Sequence, residues 1–130
     1  MEDNKIIHKQ LSYEINGLLF KVHNELGKYC NEKQVGDLFE QFLMKNGYKY
    51  EREKVVPPLF ENEKPGRNRV DFLIEGKVVV ELKTKKILTR EDYYQLRRYL
   101  KALNLKLGIL VNFQSEYLAP KRVLNSMAKR

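Results

Sequence analysis

Leu11, Ile15, Leu18, Val22 and Leu26 recur every three or four residues, so residues 8–26 predict an amphipathic helix that Gly27 ends. Val35, Leu38, Phe39, Phe42 and Leu43 predict a second helix over 32–46, stopped at Asn46-Gly47. Asn31 is placed to cap it, with Gln34 three residues later as in a capping box. Residues 48–56 then begin with polar alternation and predict a half-exposed strand, ended by Pro57-Pro58. The charged stretch to Asn68 holds Pro65-Gly66 and reads as a loop. Val70–Ile74 and Lys77–Lys83 read as two strands around Glu75-Gly76, a hairpin signal. Thr89 with Asp92 forms another capping box, opening a helix over 90–103 with Tyr93, Leu96, Leu100 and Leu103 as its inner stripe. The apolar run Leu107–Phe113 has the length of a buried strand, and the basic tail from Gln114 shows no clear period.

The predicted order is helix, helix, strand, strand, strand, helix, strand. Three consecutive strands can form an antiparallel meander, and the last helix and strand can cross over to lie parallel in the same sheet. The expected class is α/β (α+β), a mixed sheet flanked by helices.

The length of 130 residues suits one domain spanning 1–130. Hydrophobic residues at 42% and charged residues at 32% are an ordinary globular balance, which excludes a disordered chain. No apolar run approaches the ~20 residues of a bilayer span. The polar start Met1-Glu2-Asp3-Asn4-Lys5 lacks a signal peptide's apolar core. A single cysteine, Cys30, allows no intrachain disulfide, so a cytoplasmic setting is expected. The net charge of +8 is unevenly distributed. Residues 1–82 carry 13 Lys/Arg against 14 Asp/Glu, whereas residues 83–130 carry 12 against 3, a net of +9. Such clustering either attracts phosphate backbones or simply keeps the surface solvated.

Asp71 is a carboxylate inside the otherwise apolar Val-Asp-Phe-Leu-Ile. Ten residues later Glu81 follows three valines, with Lys83 two positions on and therefore on the same strand face. Bare buried charge is costly, so these groups should be paired, metal-bound or solvated at a strand end. Asp71 lies opposite Glu81 only if the turn is centred on Gly76. A two-residue loop would pair Asp71 with Val80 and turn Glu81 to the other face. An odd loop such as Glu75-Gly76-Lys77, or a bulge, is therefore expected. Two carboxylates on one face then suit Mg²⁺ or Mn²⁺, with Lys83 placed to orient a water or stabilise charge on a phosphate. The competing reading is a surface strand with Lys83 in an ordinary ion pair; the Asp71 spacing and the apolar flanks weigh against it.

Asp71…Glu81-Leu82-Lys83 resembles the signature of the PD-(D/E)XK nucleases, and the element order is similar to their αβββαβ restriction-endonuclease-like core with an extra N-terminal helix. Val70 stands where the signature has proline. Gln95-Leu-Arg-Arg-Tyr99 resembles the Q-x-x-x-Y motif of the helicase-associated exonuclease branch, and its two ends share a helix face. More closely, His23 to Phe113 resembles the small prokaryotic GxxExxY proteins, through Leu26-Gly27, Glu32, Asp71, Glu81-Leu82-Lys83, Leu88-Thr89, Gln95, Tyr99-Leu100 and Leu107–Phe113. Glu32 falls on that motif's glutamate, while Tyr29 and Val35 stand at its glycine and tyrosine.

The resemblance implies a metal-dependent phosphodiesterase acting on nucleic acid, DNA above all. It implies Asp71, Glu81, the Leu82 carbonyl and Glu32 as metal ligands, and Lys83, Gln95 and Tyr99 as further catalytic residues. Glu32 also has a plain explanation, since a carboxylate in a first helical turn gains ~0.3–1 kcal/mol from the helix dipole. Arg90, Arg97, Arg98 and Lys101 on the third helix, with Lys85 and Lys86, are candidate DNA-backbone contacts. At this size a partner chain or a homodimer would be needed to embrace a duplex. His8 and His23 lack a zinc pattern, Ser12, Ser115 and Cys30 lack a base, and no glycine-rich phosphate loop is present. The alternatives kept open are a non-catalytic nucleic-acid-binding module and a regulatory or assembly protein.

Overall fold

The computed structural model describes residues 6–128. Its elements run α1 (Lys9–Leu26), α2 (Glu32–Lys45), β1 (Tyr50–Val56), β2 (Asn68–Ile74), β3 (Val78–Lys83), α3 (Arg90–Leu103), β4 (Leu107–Asn112) and β5 (Lys121–Leu124). All seven expected elements are present, with ends within two residues of expectation. The addition is β5, in the basic tail; it has four residues and buries only Val123, too little to show a period.

Local chemistry accounts for the boundaries. Gly27 leaves α1 at φ 72°, and its N–H closes on the His23 carbonyl at 2.8 Å. The predicted box at α2 forms: the Gln34 N–H donates to Asn31 Oδ1 at 2.8 Å, and the Asn31 N–H to Gln34 Oε1 at 3.0 Å. At the far end Gly47 turns the chain at φ 77°, and the Tyr48 N–H reaches the Leu43 carbonyl. The Thr89 N–H donates to Asp92 Oδ2 at 2.8 Å as α3 opens.

The strands form one mixed sheet in the order β1-β2-β3-β4-β5. β1, β2 and β3 make the antiparallel meander, β4 lies parallel to β3, and β5 adds antiparallel to β4. One sheet face packs on α1 and α2 through Ile15, Leu19, Phe39, Phe72, Val80 and Ile109. Phe39 and Phe72 meet edge to face there, with ring centroids 5.0 Å apart. The other face packs on α3 through Val79, Leu96, Leu100 and Leu110. A Cβ at Gly108 would stand 2.9 Å from Leu96, so glycine lets α3 lie directly on β4. Arg122 of β5 bonds Ser12 Oγ and the Ile7 carbonyl, tying the last strand to the start of α1. Among the described residues no helix is long and apolar enough to cross a membrane.

Candidate active site

The β2–β3 hairpin has the odd loop that the Asp71–Glu81 pairing requires. Ile74 pairs with Val78, Leu73 with Val79 and Phe72 with Val80, which centres the register on Gly76. Gly76 turns at φ 65° and Glu75 at φ 55°. For glutamate that conformation is uncommon. It is held from both sides here: the Glu75 carboxylate accepts from the Lys49 N–H at 2.7 Å, and the Glu75 N–H donates to the Lys49 carbonyl at 2.8 Å.

Where this register brings Asp71 against Glu81, side chains take over from the backbone ladder. The Asp71 N–H donates to Glu81 Oε2 at 2.7 Å, and the Leu82 N–H donates to Asp71 Oδ2 at 2.7 Å. Both carboxylates therefore turn into the seam between β2 and β3. Face alternation also breaks at this point. Val70 packs on the α3 side while Phe72, two residues on, packs on the α1/α2 side. β1 does the same: the Arg52 guanidinium lies 5.4 Å over the Phe72 ring, whereas Val56 belongs to the α3-side core. Between them Glu53 adopts φ 61°. Pairing resumes in unchanged register, Arg52 with Phe72 and Lys54 with Val70, so no residue is inserted and both strands twist together.

Beside the seam a cavity of about 280 Å³ is lined by Glu32, Lys33, Gly36, Arg52, Glu53, Asp71, Phe72 and Leu82. The α2 capping box fixes Glu32 as the first residue of its helix, at the mouth of this cavity. Arg52 forms one wall, its guanidinium held by Asp37 and Glu40, each at 2.8 Å. It approaches α2 closely because residue 36 is glycine; a Cβ there would meet Arg52 Nη2 at 2.5 Å.

Three acids at this place hold their protons unusually tightly. Burial raises Glu81 most, and the neighbouring Asp71 charge adds to it. Burial likewise raises Asp71, with Glu53 contributing, and raises Glu32, with Asp71 contributing. The Lys83 ammonium counters all three shifts, and Arg52 also counters that of Asp71. Such pKa patterns cluster at functional sites.

Among the described residues no three acid, histidine or cysteine side chains converge on a single point. Asp71 and Glu81 each give one oxygen to a backbone N–H instead. The donor types still suit a hard divalent cation, whose usual ligands are carboxylate oxygens. Asp71, Glu81 and Glu32 are the residues able to supply it with oxygen.

Gln95 and Tyr99 hydrogen-bond to each other on α3, as their spacing requires. Arg98 donates to Gln95 Oε1 at 2.7 Å. The Tyr99 hydroxyl points to Asn68, and its pKa is raised by burial and then by Glu81. The Glu81 charge thus reaches the Tyr99 hydroxyl, whose hydrogen-bond partners are Gln95 and Asn68. Of the candidate phosphate contacts, Lys86, Arg90, Arg97, Arg98 and Lys101 are exposed. Lys85 is half-buried, with its ammonium on Asp92 at 2.9 Å.

Sequence reasoning missed Glu53, Arg52 and Asn112. Glu53 and Arg52 sit in a polar alternation that looks like solvent-facing strand, and only the β1–β2 register sets them beside Asp71. Asn112 is buried, and its side chain bonds both the N–H and the carbonyl of Lys85, at 3.0 and 2.7 Å. It thereby pins the turn that follows Lys83; a buried polar residue closing an apolar strand was the available signal.

A family model for the PD-(D/E)XK nuclease superfamily matches residues 9–123. No curated protein matches the chain in sequence. Among solved structures, the crystal structure of SSO0001 is similar at 20% identity with a TM-score of 0.54, over 85% of this chain and 65% of that one. This chain thus spans about two-thirds of that protein's length, and the likeness is one of fold.

Proposed function

The chain belongs to the PD-(D/E)XK nuclease superfamily, and on that footing we propose that it is a divalent-metal-dependent nuclease that hydrolyses phosphodiester bonds in DNA. Within the superfamily we place it with the GxxExxY proteins, on the likeness between His23 and Phe113. The observation that carries the proposal is the meeting of Asp71 and Glu81 in one seam, with Lys83 acting on both and on Glu32.

Asp71 and Glu81 would hold Mg²⁺ or Mn²⁺, with the Leu82 carbonyl and Glu32 as further ligands. When bound, the cation supplies Lewis-acid polarisation of the phosphate and a more acidic water. The protein's own groups do the rest. Lys83 orients the attacking water and stabilises negative charge developing on the phosphate oxygens. Gln95 and Tyr99, hydrogen-bonded to each other, orient Lys83 or the substrate. Lys86, Arg90, Arg97, Arg98 and Lys101 attract the phosphate backbone, and Lys85 joins them only when it leaves Asp92.

The second reading is a nucleic-acid-binding module without hydrolysis. It is favoured by the backbone N–H groups that already occupy one oxygen of each central acid. The two readings part in a cleavage assay on single- and double-stranded DNA with Mg²⁺ or Mn²⁺. The nuclease reading expects cleavage that chelation stops, and loss of at least ~100-fold in rate in Lys83→Ala and Asp71→Asn. Cleavage by Lys83→Ala at the wild-type rate would overturn its assigned role. Salt-sensitive binding without cleavage would favour the module.

A further inference from the structure

The end of the sheet at which Lys83 lies carries two aromatic side chains that the fold does not use. Tyr29 is 90% exposed and Tyr117 is 84% exposed. A tyrosine ring gains its stabilising value by burial, so two rings left in water contribute nothing to this core. Each lies in a loop that the chain or a backbone hydrogen bond joins to a residue of the candidate site. Tyr29 lies in the α1–α2 loop, three residues before Glu32. Tyr117 lies in the β4–β5 loop, whose first residue, Phe113, donates its N–H to the Lys83 carbonyl at 2.8 Å. The β4–β5 loop is tied to the last turn of α1, where His23 bonds the Ser115 carbonyl at 2.9 Å, and to the loop that follows, where Lys28 approaches Glu116 at 3.9 Å. Tyr29 and Tyr117 thus belong to one joined rim, connected through backbone to Glu32 on one side and Lys83 on the other. The Lys28 ammonium stands 5.4 Å over the Tyr29 ring, placing positive charge beside it.

We propose that Tyr29 and Tyr117 form a stacking platform for unpaired bases, so that the preferred substrate is single-stranded nucleic acid or a strand end freed from a duplex. The inference rests on the nuclease reading of the same site. Aromatic side chains beside a positively charged path are how single strands are held without sequence preference. Bases in a duplex are stacked on one another and have no free face for either ring. The net charge of +8 suits a polyanion, and flexible single strands reach a seam that a rigid duplex approaches only from outside.

The test is fluorescence anisotropy with labelled (dT)12 and a 12-base-pair duplex, in EDTA so that no cleavage occurs. Wild type is compared with Tyr29→Ala, Tyr117→Ala and the two phenylalanine substitutions. The expected result is about tenfold weaker binding of (dT)12 for each alanine variant, recovery with phenylalanine, and duplex binding changed less than about twofold. Equal loss on both DNAs, or no loss on either, would overturn the platform. So would alanine variants that lose a dimer seen by light scattering in wild type, since the rings would then cover a second copy of the chain. Because no metal is present, a failed platform leaves the cleavage question open, and a chain that never cleaves can still bind as described.

Discussion

Replacing Glu81 by glutamine should change how the stability of this protein depends on pH. Glu81 is only 7% exposed, and burial and the Asp71 charge lift its pKa from 4.5 to about 8. In the unfolded chain the carboxyl ionises near its ordinary value. Between those values the folded state binds more protons than the unfolded one, so stability falls as pH rises. Protonated Glu81 contributes in full below pH 4.5, and the contribution is lost as pH passes through the folded value. At ~1.4 kcal/mol per pKa unit the total is about 3–5 kcal/mol, or roughly 10 °C in Tm for a domain of this size. Glu81→Gln keeps an oxygen able to accept from the Asp71 N–H and never ionises, so it should remove this dependence. The assay is thermal unfolding by circular dichroism in EDTA from pH 5 to 8.5. The variant should gain about 10 °C on wild type across that range. A Tm difference that stays constant with pH would refute the reasoning, because Glu81 would then ionise normally in the fold. Adding 1 mM Mn²⁺ at pH 8 should raise the Tm of wild type more than that of the variant, since a cation favours the ionised acid.

Phe39→Ala removes a fully buried ring that meets Phe72, and urea unfolding should show a loss of about 3–5 kcal/mol. Asn112→Ala strips both backbone groups of Lys85 of their partners and should cost ~1–3 kcal/mol; it should also slow cleavage, because the turn after Lys83 loosens. Lys86→Ala should lower the slope of log binding constant against log salt by about 1 on DNA of any sequence. A slope that is unchanged would remove Lys86 from the phosphate path.

What the sequence disclosed and what it hid divide along physical lines. Asp71 and Glu81 stood out because charge inside valine-rich strands is costly, and the requirement that both acids share a face selected an odd loop centred on Gly76 over a two-residue turn. The caps at Asn31 and Thr89 were readable because a capping box is a local interaction within four residues. Glu53 was hidden because its left-handed backbone at φ 61° is imposed by the joint twist of β1 and β2, across an eleven-residue connection that conceals their pairing. Lys85 looked like a free surface cation because its partner, Asp92, already had an evident task at the α3 cap. β5 was invisible because a four-residue edge strand with one buried side chain carries no period. Tyr29 read only as a departure at a motif position, because a single residue in a short loop carries no period that tells whether it is buried.

Every role proposed for the active site depends on Asp71 and Glu81 seating a divalent cation. The most direct measurement is the anomalous signal of Mn²⁺ in crystals of the protein soaked with it. A peak is expected between the two carboxylates, within about 2–2.5 Å of an oxygen of each, with Lys83 nearby. Density showing both acids still held by the Asp71 and Leu82 N–H groups, with manganese elsewhere or nowhere, would contradict it.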